Sequence, residues 1–454
     1  MDRIVLNKLF LVPVFFCVLS LLSVDVHAVP SYARQVGMSC YKCHTVFPEL
    51  TPFGRSFKLG GYTMSKSDKP YEFPPPLSAM AEISLTHTDK KQPSDAVSRN
   101  WATRWFSSGN DYLNAPQSFS LFYCGKIFSK IGAFIQGTYD GASNNNAMDN
   151  TDIRFANNAT VGDKDLIYGI TINNNPTGED VWNSTPAYGF PNAGSSVAPT
   201  PAAATIIDGT LGQQVSGIGA YVFWDSFLYG QFAVYHTAKN GAGEFLAGGN
   251  SIDTVLNGFA PYWRVAIEQL WGKHSLSLGT YGIVADISPN GTSSSGPIDR
   301  FKDLALDAQY QYIGNEHLFT AQTTWIHEDQ EWDASHKQGA TTNKSDILET
   351  YKLNLNYYYK SNMGSIGGTL AYFSTWGDGD ALLYPPGDIS GSTNGKPNSN
   401  GFIYELDYVP LKWSKITLQY IAYDKFNGAH KNYDGSGRNA SDNNTFYVLL
   451  WLVI

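Results

Sequence analysis

Residues 351–359 read Tyr-Lys-Leu-Asn-Leu-Asn-Tyr-Tyr-Tyr. Tyr351, Leu353, Leu355, Tyr357 and Tyr359 fall on one face of an extended chain. Lys352, Asn354, Asn356 and Tyr358 fall on the other. Side chains alternate with period two in a strand, so this stretch predicts a β-strand with one greasy and one polar face. The same pattern recurs along the chain. Leu304, Leu306, Ala308 and Tyr310 alternate with Asp303, Ala305, Asp307 and Gln309. Phe402, Tyr404, Leu406 and Tyr408 alternate with Ile403, Glu405 and Asp407. Ile416, Leu418, Tyr420 and Ala422 alternate with Thr417, Gln419 and Ile421. The charges keep to one face, which a wet lumen permits and lipid forbids.

Sixteen such runs begin near residues 77, 117, 130, 150, 164, 215, 227, 259, 273, 301, 316, 348, 363, 400, 414 and 444. An even number of strands of about ten residues is the pattern of a bacterial transmembrane barrel. Connections alternate in length. Asp225-Ser226, Gly272 and Lys360 to Asn362 are short, whereas 174–214, 286–300, 329–347 and 377–399 are long and rich in Gly, Asn, Ser and Pro. Such barrels keep short turns in the periplasm and long loops outside the cell. Both termini then fall at the periplasmic end. A soluble sandwich or propeller also uses alternating strands, but it buries its apolar face under a second sheet and need not alternate loop length. The expected fold is all-β: a sixteen-stranded transmembrane antiparallel β-barrel, porin-like, over residues 77–454 in an outer membrane.

Composition agrees. Aromatics make up 14% of the 454 residues, and charged residues only 16%, below the roughly 25% usual in soluble domains. Yet the mean hydropathy is -0.24, so the apolar residues are scattered rather than gathered into long runs. That suits short amphipathic strands in contact with lipid. Lys and Arg number 31 against 40 Asp and Glu, a net charge of -9. No basic footprint exists for nucleic acid. The acidic surplus suits a protein that meets cations, and equally suits ordinary solvated loops.

Residues 1–28 read as an export leader, with basic Arg3 and Lys8, the apolar run LFLVPVFFCVLSLLSV and a small-residue cleavage site at Val26-His27-Ala28. A retained anchor is the alternative, although Pro13 interrupts the run. The mature chain would begin near Val29. Cys17 leaves with the leader, and Cys40, Cys43 and Cys124 remain. An odd number of cysteines argues against a disulfide framework.

Cys40-Tyr41-Lys42-Cys43-His44 is the CxxCH pattern of c-type haem attachment. Two thiols three positions apart can reach the two vinyl groups of one porphyrin, and the adjacent imidazole can serve as the proximal iron ligand. A thioredoxin-like pair or half a zinc site would use the same two cysteines. No βαβ pattern surrounds the motif, however, and no second CxxC exists. One motif implies one covalent c-type haem, held by Cys40, Cys43 and His44. The sixth ligand stays open between Met80 and Met64, with His87 if both ligands are histidine. Strand parity favours Met80. Ala79, Ala81, Ile83 and Leu85 would face lipid, leaving Met80, Glu82, Ser84 and Thr86 in the lumen. Residues 29–76 would form a small, partly helical cytochrome head, ending in the extended spacer Pro70 to Leu77, PYEFPPPL.

The segments ARQVGMSCYKCHTVFPELTPFGRSFKLGGY, LSAMAEISLTHT and QSFSLFYCGKIFSKIGAFIQGTYDG resemble the fused outer-membrane cytochrome–porins. That resemblance spans residues 29 to 141. It implies a monohaem head joined to a sixteen-strand porin, and Cys40, Cys43 and His44 as haem ligands. It also implies activity of the iron:cytochrome c oxidoreductase type, with extracellular Fe(II) as donor. The electron would pass to a periplasmic c-type cytochrome or other carrier. The apolar band of such a barrel is about 25 Å tall, too far for one efficient hop, so the head is expected to plug the lumen and carry the relay inside it. Another donor, outward electron flow, or a solute porin with a haem plug are the competing readings. For iron entry, the densest oxygen-rich stretch is His327-Glu328-Asp329-Gln330-Glu331-Trp332-Asp333, read as an outer loop that could equally be merely solvated.

Overall fold

The computed structural model describes residues 31–69, 75–92, 109–178, 180–182, 184, 194–239, 241–289, 291 and 296–454. The expected leader and most of the proline-rich spacer lie outside the described residues. The strands are β1 (Leu77–Thr88), β2 (Asp111–Phe128), β3 (Ile131–Asp140), β4 (Asn145–Val161), β5 (Lys164–Asn173), β6 (Val215–Trp224), β7 (Leu228–Thr237), β8 (Ala260–Trp271), β9 (His274–Ile287), β10 (Asp299–Ile313), β11 (His317–Glu331), β12 (Ser345–Ser361), β13 (Gly364–Gly377), β14 (Ser399–Leu411), β15 (Ser414–Lys425) and β16 (Thr445–Val453). Each pairs antiparallel with the next. β1 also pairs with β16, setting Met80 opposite Val453 and Leu85 opposite Val448, so the sheet closes into a barrel with no free edge.

The alternation read from the sequence is the alternation of the wall. Leu406 is 52% exposed on the outside, while its neighbour Asp407 is 0% exposed on the inside. Leu304 and Leu306 face out, and Asp303 and Asp307 face in. Short turns join the strands at one end, and they use residues that tolerate the left-handed backbone. Asp225 and Ser226 take φ of 55° and 52°, the twist a tight hairpin needs. The other end carries the long connections, apart from the brief 141–144 turn. No helix among the described residues is long and apolar enough to cross a membrane, which says nothing about strands.

Three expectations need correction. β2 begins at Asp111, not near 117. Pro116 has no N–H to donate and looks like a strand breaker. The wall accommodates it in an irregularity, where the pairing jumps from Glu82–Ser118 to Ser84–Asn114. β4 likewise begins at Asn145 rather than near 150, because the polar run before Asn150 hides its pairing with β3. Residues 327–331 are not a loop. They continue β11, so alternation sends Glu328 inward while His327, Asp329 and Glu331 lie on the opposite face. His327 pairs with Glu349 at 2.7 Å and Glu331 with Lys302 at 2.6 Å. Only Trp332 and Asp333 leave the strand. Among the described residues, no group of three or more His, Cys, Asp or Glu side chains converges as a bare-metal site would.

The described parts of the connection 174–214 do not simply extend outward; they fold into the bore. The Trp182 carbonyl accepts from Gln309 on β10 and Gln322 on β11, at 2.9 and 2.8 Å. The Ile207 amide donates to Asp303 at 2.9 Å, and Lys352 on β12 pairs with Asp208 at 2.5 Å. On the far wall, Thr86 on β1 meets Ser195 at 2.7 Å, and Tyr423 on β15 donates to the Pro199 carbonyl at 3.3 Å. Asp307 is therefore not a group in a wet lumen. It lies in a buried cluster with Arg264, at 2.8 Å, whose guanidinium stacks over Trp182 and Tyr281.

Candidate functional site

The N-terminal segment, residues 31–69, is seated against the inner wall at the short-turn end. Its helix Pro52–Leu59 starts where the sequence says it should. Thr51 caps it by accepting from the Gly54 amide at 3.1 Å, and Pro52 fills the first position, where no N–H is needed. From that helix Arg55 reaches Glu268 on β8, Gln309 and Gln311 on β10, and Ser275 on β9. Glu49 accepts from Gln311 at 2.9 Å and from Asn356 on β12 at 3.2 Å. Tyr62 donates to Asp152 on β4 at 2.6 Å, and Tyr41 meets Ser365 on β13 at 3.1 Å. These partners ring most of the wall, so the segment's position is set by many polar contacts made at once.

The motif itself is a tight turn. Residues Cys40–Lys42 form one 3-10 turn, and the amides of Cys43 and His44 both donate to the Cys40 carbonyl, at 3.0 and 2.9 Å. The helix crosses directly over it. A Cβ on Gly54 would stand 2.2 Å from the Cys43 carbonyl oxygen, so only glycine permits that crossing. Thr51 ties the two pieces together, its amide donating to the Cys43 carbonyl and its hydroxyl to the Lys42 carbonyl, at 2.9 and 2.7 Å.

His44 Nδ1 lies 3.2 Å from the Glu49 carbonyl oxygen. A carbonyl only accepts, so Nδ1 carries the proton and Nε2 keeps its lone pair. That is the tautomer of a metal-binding imidazole whose other nitrogen is oriented by the backbone. Burial holds the ring neutral, its pKa lowered to about 4. Burial likewise pushes the Cys43 thiol up to about 11 and raises Cys40. Neither cysteine is in a disulfide.

Cys40, Cys43 and His44 line one cavity of about 560 Å³ between the segment and the wall strands β1 to β4, β15 and β16. Met80 lines the same cavity from β1, and its sulfur accepts from Trp451 Nε1 at 3.0 Å. The volume falls within the range of small-molecule and cofactor sites. The donor set of two thiols, a neutral imidazole and a thioether suits a covalently tethered haem. Met64 does not line the cavity; it is exposed, and its carbonyl accepts from Gln35. His87 takes the other face of β1 and pairs with Asp111 at 2.7 Å.

Sequence reasoning missed the aromatic wall of the cavity: Phe47, whose ring lies tilted 4.5 Å from that of His44, and Trp451 beyond it at 5.2 Å. Met38 also lines the space. A signal for Trp451 was present. β16 reads Thr-Phe-Tyr-Val-Leu-Leu-Trp-Leu-Val, apolar on both faces. In a barrel with a polar interior, such a strand marks a place where the inside is greasy.

No family model and no curated protein matches the chain. Among solved structures, it is similar to outer-membrane expressed OmpT of Vibrio cholerae, at 9% identity over 83% of this chain and 97% of that one, with a TM-score of 0.43. It is also similar to an anion-selective porin from Comamonas acidovorans, at 10% identity over 83% and 98%, TM-score 0.41. Salmonella typhi OmpF in complex with daunomycin matches at 12% identity over 83% and 97%, TM-score 0.41.

Proposed function

We propose that this chain is an outer-membrane barrel that holds one covalent c-type haem and passes electrons across the membrane, oxidising extracellular Fe(II). The observation that carries this reading is the gathering of Cys40, Cys43, His44 and Met80 around one cavity inside a closed ring of strands. The ring's outer face is apolar through its middle, as a lipid-facing surface must be. The Cys40 and Cys43 thiols would tether the group, and His44 Nε2 and the Met80 sulfur would hold its iron. A haem so held supplies a reversible one-electron couple.

The protein residues do the rest by position. The N-terminal segment plugs the bore from the short-turn end, and Phe47, Trp451 and the apolar residues of the strand wall make that side of the site greasy. Each Fe(II) gives up one electron and becomes Fe(III), and that electron passes to a periplasmic c-type cytochrome or other carrier. No catalytic acid or base is required. A free diffusion porin is disfavoured, because both the segment and the described residues of the 174–214 connection lie in the bore.

The test is a detergent-purified, membrane-fractionated sample. A haem-stained band surviving denaturation, one haem per chain by pyridine haemochrome, and rapid haem reduction on stopped-flow mixing with Fe(II) are expected. A colourless protein overturns the haem reading. A coloured protein that Fe(II) does not reduce overturns iron oxidation and leaves another donor or outward flow.

A further inference from the structure

Two lysines line the cavity, and they differ. Lys58 is engaged: its Nζ donates to the Gly178 carbonyl at 2.7 Å. Lys415, on β15, is 6% exposed and faces the same space. Among the described residues its ammonium has no hydrogen bond and no ion pair. Three carboxylates, Asp407, Glu405 and Glu82, act on it through space, but none of them forms an ion pair with it among the described residues, and each accepts from another donor. Asp407 accepts from Tyr358 and, at 2.5 Å, from Thr417. Glu405 accepts from Gln419 at 2.8 Å, and Glu82 from Ser118 at 2.8 Å.

A buried ammonium with three unused donors is costly unless something anionic or polar meets it. Its place in the wall is defined by register. Lys415 sits opposite Trp451, and Trp451 sits opposite Glu82, two positions from Met80. Lys415 thus stands on the same inner face, beside the residues that close the cavity. A haem carries two propionate carboxylates, which would otherwise enter a pocket already holding Glu82.

We propose that Lys415 Nζ is the counter-cation for a carboxylate of the group bound in this cavity, a haem propionate. The inference rests on the haem reading above and adds to it the residue that sets the charge at the cofactor's edge. With Lys415 present, the propionate stays ionised. Without it, the surrounding carboxylates force protonation, or leave net negative charge that favours the oxidised iron.

The test is a redox titration of the full-length protein in detergent, comparing wild type with Lys415→Gln, Lys415→Arg and Lys425→Gln. The covalent attachment keeps the haem in place, so colour and potential are read separately. Lys415→Gln is expected to retain haem with a lowered midpoint potential and a potential that becomes more pH-dependent. Lys415→Arg should restore the wild-type value, and Lys425→Gln, at the far end of the same strand, should leave it unchanged. A coloured Lys415→Gln protein with unaltered potential and pH profile overturns the proposal and reduces Lys415 to a balance for Asp407 and Glu405. A colourless wild type instead overturns the haem reading itself. Should Lys415→Gln fail to assemble, redox-difference infrared spectra of wild type with ¹³C-labelled haem carboxyls decide. A labelled carboxylate band supports the assignment, and a labelled protonated-acid band overturns it.

Discussion

The Arg55 guanidinium of the N-terminal segment grips the Glu268 carboxylate of β8 through two parallel hydrogen bonds, Nη2 to Oε1 at 2.6 Å and Nε to Oε2 at 3.1 Å. Both side chains are almost wholly buried. Trp182 of the inward-folded connection donates to the same carboxylate at 3.2 Å. Glu268 is therefore a point where the N-terminal segment and the inward-folded connection meet the same wall residue. Neither charge can be left alone there, because a buried unpaired ion loses its hydration without replacement.

Removing one partner should cost far more than removing both. Arg55→Ala or Glu268→Ala is expected to weaken the segment's seat by roughly 3–5 kcal/mol, while Arg55→Met with Glu268→Leu should come closer to wild type. Limited proteolysis of residues 31–69 in the folded barrel checks this. Equal protection in the two single variants and wild type would refute the anchoring role.

The barrel was legible because alternation is geometry. A strand with lipid on one side and polar groups on the other must write that period into its sequence, as at 351–359 and 402–408. The ends of strands were harder to read, since Pro116 and the Asn-rich run before Asn150 break the pattern without breaking the pairing. The inward fold of 174–214 left no such mark. Its anchors Val181, Trp182, Ile206 and Ile207 are spaced among glycine, proline and asparagine with no period. Of the candidate site, the CxxCH turn and the inward parity of Met80 were legible. Trp451 was only half legible: β16 is apolar on both faces, but pairing with β1 across the closure decides where the indole sits. Phe47 was not, because its place depends on how the turn after the motif seats against that wall.

Gly54 offers a cleaner test of the motif than the cysteines do. An added Cβ would meet the Cys43 carbonyl at 2.2 Å, and both atoms belong to backbone-fixed elements. Gly54→Ala should displace the turn from the helix and sharply reduce covalent haem attachment, while the strands still assemble. Haem staining against heat-modifiable migration on gels separates the two effects. Full attachment in Gly54→Ala would contradict the crossing.

Met80 and Trp451 make a linked prediction. The indole donates to the thioether at 3.0 Å, fixing where the sulfur points. Met80→His should lower the midpoint potential, since a second imidazole favours the oxidised iron relative to a thioether. Trp451→Phe keeps the ring but removes the donor, and should give a smaller change with heterogeneous ligation. Near-infrared and low-temperature magnetic resonance spectra read the ligand directly. Spectra identical in Met80→Ala and wild type would exclude Met80 as ligand.

The neutral state of His44 predicts an acid sensitivity once the haem is prevented from attaching. In Cys40→Ala with Cys43→Ala, the imidazole titrates at about 4 when folded and near 6.5 when unfolded. The unfolded chain then binds the proton more readily, so this stability is complete above pH about 6.5 and is lost as pH falls toward about 4. The separation is worth roughly 3 kcal/mol. Glu49 beside it pulls the other way, because burial raises its carboxyl. The difference between this variant and one that also carries His44→Phe isolates the imidazole. A pH dependence unchanged by His44→Phe would count against the assignment.

Conductance tests what fills the bore, and it distinguishes two obstructions. The segment 31–69 occupies the short-turn end. The described residues of the 174–214 connection reach into the interior from both sides, from Thr86 and Tyr423 on one to Gln309, Gln322 and Lys352 on the other. Its Trp182 is held by the wall and by the Arg264 stack as well as by Glu268. Releasing the segment alone therefore leaves an obstruction that does not depend on it. Wild type and a variant lacking 31–69 should both pass little current in planar bilayers. Only shortening 174–214 as well should raise conductance to the scale of an open sixteen-strand channel. Large, steady currents from wild type would mean that the packed interior gives way in the membrane, and the relay reading would yield to that of a solute pore.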